Sequence, residues 1–152
     1  MAAGDITWFD QALLDLGEKI HDLSSDTFKL GLVTSVVTPT GATSDPRWGS
    51  GGGTNLSTNA VATGTAWTGP VTLSGVTWTI VSGTPTFDAS DPSTIAQDAS
   101  GFTNARWGVI YNDTDAGKRA LCFIDLGSDR SIVTGPLTLT FNASGVLTLN
   151  QV

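Results

Sequence analysis

Few residues of this chain can do chemistry near neutral pH. Among its 152 residues there is one His, His21, and one Cys, Cys122. A thiol nucleophile needs a neighbouring base and an electropositive setting. Cys122 instead falls in the apolar face Ala120, Cys122, Ile124 and Leu126, where a buried structural thiol is expected. His21 is expected half-exposed on a helix, and with no second His a His-based metal site has no partner ligand. No Gly-x-Ser-x-Gly elbow occurs, and Gly51-Gly52-Gly53 lacks the Lys-Ser/Thr ending of a phosphate loop. Asp88, Asp91 and Asp98 are carboxylates of loop segments, where Asp is the ordinary residue, and nothing pairs two of them across a glycosidase cleft. Asp113-Thr114-Asp115 has the start of a calcium loop without its remaining ligands, so a turn is expected there. No catalytic residue, cofactor or metal ligand is expected.

Binding chemistry is better represented. Trp48 and Trp67 sit in Gly- and Thr-rich stretches and are the candidates for exposed contact with proteins or sugars. Trp78 and Trp107 alternate with core positions and are expected to be buried. Arg47-Trp48-Gly49 and Arg106-Trp107-Gly108 repeat one tripeptide, each able to set a guanidinium against an indole. Asn55-Leu56-Ser57, Asn112-Asp113-Thr114 and Asn142-Ala143-Ser144 are read as chance sequons of a Ser/Thr-rich chain.

Composition narrows the partners and the architecture. The net charge is −7, the wrong sign for a nucleic-acid groove or a basic membrane-binding face. No apolar run approaches the ~20 residues of a spanning helix. The first residues lack the basic and apolar regions of a secretory signal. A single Glu argues against a helical bundle. Abundant Thr, Val, Gly and Trp favour strands joined by tight turns.

The elements that must position these residues change character near residue 25. Ile6, Phe9, Leu13, Leu16, Ile20 and Leu23 follow spacings of three and four, which predicts one apolar stripe of a helix over 6–23, capped by Asp5 or Thr7. Gly17 in its middle would suit close approach of another backbone. The stripe lies either on the domain's own sheet or against a copy of the chain or a host surface.

Beyond Ser24 the period becomes two. Phe28 to Val33, Val71 to Ile80 (with a phase slip at Gly75), Trp107 to Tyr111 and Ala120 to Leu126 read as strands, the last apolar on both faces and therefore central. Leu137 to Phe141 and Val146 to Leu149 flank Asn142–Gly145 as a hairpin. Thr38–Thr58 is expected to be a flexible exposed loop, and Asp91-Pro92 to open a short helical turn through Ala99. The chain is thus mainly β: a jelly-roll or β-sandwich domain of about eight antiparallel strands over 26–152, preceded by one N-terminal helix within 1–25.

The segments 28–34, 45–49, 104–114, 117–118, 123–127 and 142–145 together resemble small virion proteins of tailed bacteriophages, of the head decoration (cement) type. That resemblance implies a non-enzymatic protein of the capsid surface that binds the major capsid protein lattice and stabilises the head. Such a protein works as an oligomer or in many copies, so a homo-oligomer is expected, a trimer ahead of a dimer, and the apolar stripe Ile6, Phe9, Leu13, Leu16, Ile20 and Leu23 is the candidate oligomer or capsid interface. A tail or connector component and a receptor- or carbohydrate-binding module using Trp48 and Trp67 are the alternatives.

Overall fold

The computed structural model describes residues 4–149. The first three and last three residues, which belong to the two expected units, lie outside the described residues. The chain is mainly β, with one short helix and antiparallel sheets. Ten strands occur among the described residues, more than the eight expected, because several are only two residues long.

The larger sheet has the order β1-β9-β8-β2-β5, every pair antiparallel. Its strands are β1 (Ile6–Trp8), β2 (Phe28–Thr34), β5 (Val71–Thr72), β8 (Ala105–Asn112) and β9 (Ala120–Arg130). The middle of this sheet is the core: Leu30, Leu32, Val109, Ile110, Leu121, Cys122 and Phe123 are at most 1% exposed. A second antiparallel sheet, β10-β7-β6, consists of β6 (Thr77–Val81), β7 (Thr84–Asp88) and β10 (Leu147–Thr148). Phe28 of the first sheet meets Phe87 of the second edge-on, with ring centres 5.2 Å apart. β3 (Pro46–Arg47) and β4 (Thr54–Asn55) form a small parallel pair, followed by a 3-10 turn at Leu56–Asn59.

The N-terminal segment departs most from expectation. The helix, α1, covers only Asp10–Gly17. Ile6–Trp8 is instead a strand, in register with Ile124, Phe123 and Cys122. Helical periodicity lost there because β9 is apolar on both faces and needs a partner on its outer edge, which Ile-Thr-Trp supplies. Ile6–Trp8 are therefore the edge strand of the main sheet, and α1 follows from it.

The helix ends early for a local reason. The Lys19 N–H donates to the Leu16 carbonyl and the Ile20 N–H to the Asp15 carbonyl, the paired bonds of a Schellman turn. Lys19 holds φ +61°, the left-handed conformation usually given to Gly. Gly17 is the last helical residue, and no neighbour crowds it. The N-cap is Phe9, so neither Asp5 nor Thr7 caps the helix.

Three further expectations fail through tertiary pairing. The 137–141/146–149 hairpin does not form. Leu147 and Thr148 pair with Phe87 and Thr86, while Leu137 exchanges backbone hydrogen bonds with Ile95. The helical turn from Asp91 is absent, since the Asp91 carboxylate accepts the Phe141 N–H at 2.7 Å and Ile95 is extended in its bridge. The 38–58 segment is anchored by its own β-pair and by Leu56, which is fully buried. The expected slip at Gly75 is a turn with φ +62°.

Replacing Lys19 by Gly removes left-handed strain of about 1–2 kcal/mol, partly offset by added chain entropy. The expected net gain in unfolding free energy is up to about 1 kcal/mol, read from urea denaturation, whereas Lys19→Val lowers stability.

Candidate interaction surfaces

The apolar stripe read from the N-terminal sequence is largely consumed inside the protein. Phe9 is fully buried against Phe123, ring centres 5.0 Å apart, and Leu23 is buried as well. Ile6, Leu16 and Ile20 are half-buried. Phe9 and Leu23 therefore offer a partner no surface. Leu13 alone of the six is exposed, at 42%, and beside it Leu14, which the stripe did not include, is 55% exposed. Phe9, Ala12 and Asp15 face inward and hold this short helix so that the two leucines point out.

The two candidate contact tryptophans also turn inward. Trp67 is 3% exposed and packs edge-on against Phe102. Its expected exposure is thus overturned: the 60–70 loop folds its one large apolar side chain into the core rather than into water. Trp48 is half-buried. It stacks parallel on Tyr111, ring centres 5.3 Å apart and planes 2° apart, and lies directly over Gly31. A Cβ at Gly31 would fall within the Trp48 ring, so the missing side chain makes room for the stack. Burial, followed by the negative charge of Asp113, raises the Tyr111 phenol to about 12. Trp107 is buried as expected, whereas Trp78 is only half-buried.

The repeated tripeptides behave differently. Arg106 is an extra residue in the ladder to β2, and the ladder to β9 also shifts register between Ala105 and Trp107. That bulge lets its guanidinium lie 4.2 Å from the centre of the Trp107 ring while also pairing with the buried Asp125. Arg47 instead grips Asp45 with two hydrogen bonds of 2.9 and 3.1 Å.

A polar cluster ties the helix, the connection that follows it and the β8–β9 turn together. At its centre Asn112, fully buried, uses all its bonding capacity. Its Nδ2 donates to Asp26 at 2.6 Å and to His21 Nδ1 at 3.2 Å. Its Oδ1 accepts the N–H groups of Thr114 and Asp115. With Nδ1 an acceptor, the His21 proton sits on Nε2, which faces Asp15 Oδ2 across 3.7 Å. Both of those atoms are buried and make no hydrogen bond within the protein. Arg119 Nε lies 3.8 Å from the same Asp15 oxygen, and Gln11 donates to the other at 2.9 Å. His21, expected half-exposed, is 5% exposed, because the Schellman turn swings the chain back over β8 instead of continuing the helix.

Burial lowers the pKa of His21 from its ordinary 6.5, outweighing the attraction of Asp15, Asp115 and Asp26; Arg119 pushes the same way as burial. No group of three or more His, Cys, Asp or Glu side chains suited to a metal ion occurs among the described residues. Cys122 is buried as expected, and burial pushes its thiol far above the ordinary value.

The accessible apolar features lie elsewhere. The β6–β7 hairpin closes in a two-residue turn, Ser82 and Gly83, both left-handed, which matches the strand twist. Ile80 is 74% exposed and Val81 48% exposed at this tip. β6 is the outer strand of its sheet, exposed along most of its length. Sequence alternation places Val76, Trp78 and Ile80 on one apolar face; Val76 and Trp78 pack against the core, Trp78 beside Leu16, Leu23 and Leu149, and Ile80 does not. A shallow groove of about 500 Å³ also runs between Ile6 and Ile124 on one side and Leu137 to Phe141 on the other. Leu14 lies off the apolar stripe, in keeping with its exposure, whereas Leu13, Ile80 and Val81 have no sequence signal distinguishing them from core residues.

Compared with protein-family models, curated proteins and solved structures, the chain matches none. No helix among the described residues is long and apolar enough to cross a membrane.

Two outcomes follow from the buried cluster. Asn112→Ala strands Asp26, His21 and two backbone N–H groups and lowers unfolding free energy by about 1–3 kcal/mol, measurable by urea denaturation. Unfolded His21 takes up its proton near pH 6.5, and the folded protein takes it up only at lower pH. Stability is therefore full above pH 6.5 and falls as the pH drops from there towards the folded pKa. In thermal melts between pH 7.5 and 5, His21→Gln flattens that fall; an unchanged slope would remove His21 as its source.

Proposed function

We propose that this chain is a non-enzymatic virion protein of a tailed bacteriophage, a capsid decoration protein that binds and stabilises the assembled head. The two antiparallel sheets are then the halves of a jelly-roll-type sandwich, a reading supported by the Phe28–Phe87 contact between them. The observation that carries the functional reading is the pair Leu13 and Leu14, exposed on a helix whose other face is locked into the core. A decoration protein needs a rigid body and a few large apolar side chains presented to a repeated lattice. The charge-poor strands provide the body, and the helix presents the contact to the major capsid protein. Homo-oligomerisation belongs to the same reading, with the virion as its location and no nucleic-acid, membrane or cofactor partner. Trp48, engaged with Tyr111 and Gly31, and Trp67, enclosed beside Phe102, leave the sugar-binding alternative without its paired platform.

Quantitative mass spectrometry of purified particles tests the reading. Hundreds of copies per virion are expected; a dozen or fewer would make the chain a connector or tail component. Replacing Leu13 and Leu14 together by Asp is expected to abolish head binding while the circular dichroism of the free protein stays unchanged.

A further inference from the structure

We propose that β6 is a self-pairing edge, through which two copies of this chain join their small sheets into one continuous six-stranded sheet. The proposal goes beyond the virion role and does not depend on it.

The backbone directions of the small sheet set the geometry. The Phe87 and Pro85 carbonyls accept the Val146 and Leu149 N–H groups on the β10 side. Alternation along β7 then turns Thr84, Thr86 and Asp88 towards β6, where they meet Val81, Thr79 and Thr77. The main-chain groups that β6 presents outward are consequently those of Trp78 and Ile80. No strand of the described chain lies beyond them.

Exposed edges are normally blunted by Lys, Pro or an inward-pointing charge. β6 has none of these. Its sequence, Thr-Trp-Thr-Ile-Val, consists wholly of strong strand formers, and Asp88 is the single charged residue across β6, β7 and β10. In a chain of net charge −7, this sheet with its single charge is where two copies can meet with little repulsion.

A second copy is the occupant because the strand is complementary to itself. A two-fold axis through Thr79 sets Trp78 of each copy opposite Ile80 of the other. Trp78 and Ile80 are the residues whose N–H and C=O face outward, so each such pair exchanges two hydrogen bonds, giving four in all. The side chains agree with the register: aromatic meets β-branched twice, Thr79 meets Thr79 on the axis, and Thr77 meets Val81, all favourable cross-strand pairs. The tight Ser82-Gly83 turn keeps the strand regular to the hairpin tip.

Analytical ultracentrifugation of the full chain is expected to give twice the 15.7 kDa chain mass. Thr79→Lys sets two like charges face to face on the axis and is expected to yield monomers with unchanged circular dichroism, since Thr79 is exposed. Ile80→Pro removes only an outward N–H and is expected to do the same. Thr79→Cys places two thiols across a non-hydrogen-bonded pair, close enough for a disulfide. It is expected to give a reducible dimer on mild oxidation, with Ser82→Cys remaining uncrosslinked. A monomeric wild-type chain overturns the proposal. So does an oligomer, a trimer included, that survives Thr79→Lys, or a β6 edge that pairs only with a strand of another protein.

Discussion

The requirement that shapes this fold is the pairing of β9. From Ala120 to Leu126 that strand is buried on both faces, and every one of those residues is at most 6% exposed. A strand so apolar cannot leave its N–H and C=O groups unpaired without a large desolvation penalty. β8 satisfies one edge. The other takes Ile6–Trp8 out of a helical pattern and makes them a strand. The chain must then reverse within a few residues to reach β2. α1 is correspondingly short and is closed by a left-handed Lys rather than carried on to Leu23.

That reversal creates the buried polar cluster. The segment after α1 passes over the β8–β9 turn, and the four hydrogen bonds of Asn112 fasten the two together. Asp15 and His21 are carried inside as a consequence, with Arg119 beside them. Their enclosure fits a role in fixing the position of α1. The helix owes its stability to this clamp and to Phe9 and Ala12 beneath it, since eight residues are too few to form a stable helix alone.

The outward surface is the complement of this arrangement. Five of the seven basic side chains are paired close to home: Lys29 and Lys118 on Asp113, Arg47 on Asp45, Arg106 on Asp125, Arg119 on Asp115. Besides Val36, the large apolar side chains left exposed among the described residues are two leucines of α1 and the two at the tip of the β6–β7 hairpin. These lie on separate elements, one fastened to the large sheet and one ending the small sheet.

The sequence by itself determined the strands with clear two-residue alternation, the phase slip at Gly75, the inert burial of Cys122, the central place of β9 and the turn at Asn112–Gly117. Each depends on neighbours along the chain or on side-chain hydrophobicity alone. The tertiary structure decided the rest. Ile6–Trp8 are helical by spacing and strand by pairing. Trp67 reads as a loop contact and is core, because apolar area is buried wherever the fold leaves room beside another ring. Val146–Leu149 have an adjacent partner in sequence and choose β7 instead. The exposed residues Leu13, Ile80 and Val81 have the same residue types as core positions. Only the sheet order, which leaves β6 outermost and turns one side of α1 to solvent, distinguishes them. Periodicity reports which residues share a face of an element, while the partner of that face is set by competition among edges and surfaces far apart in the chain.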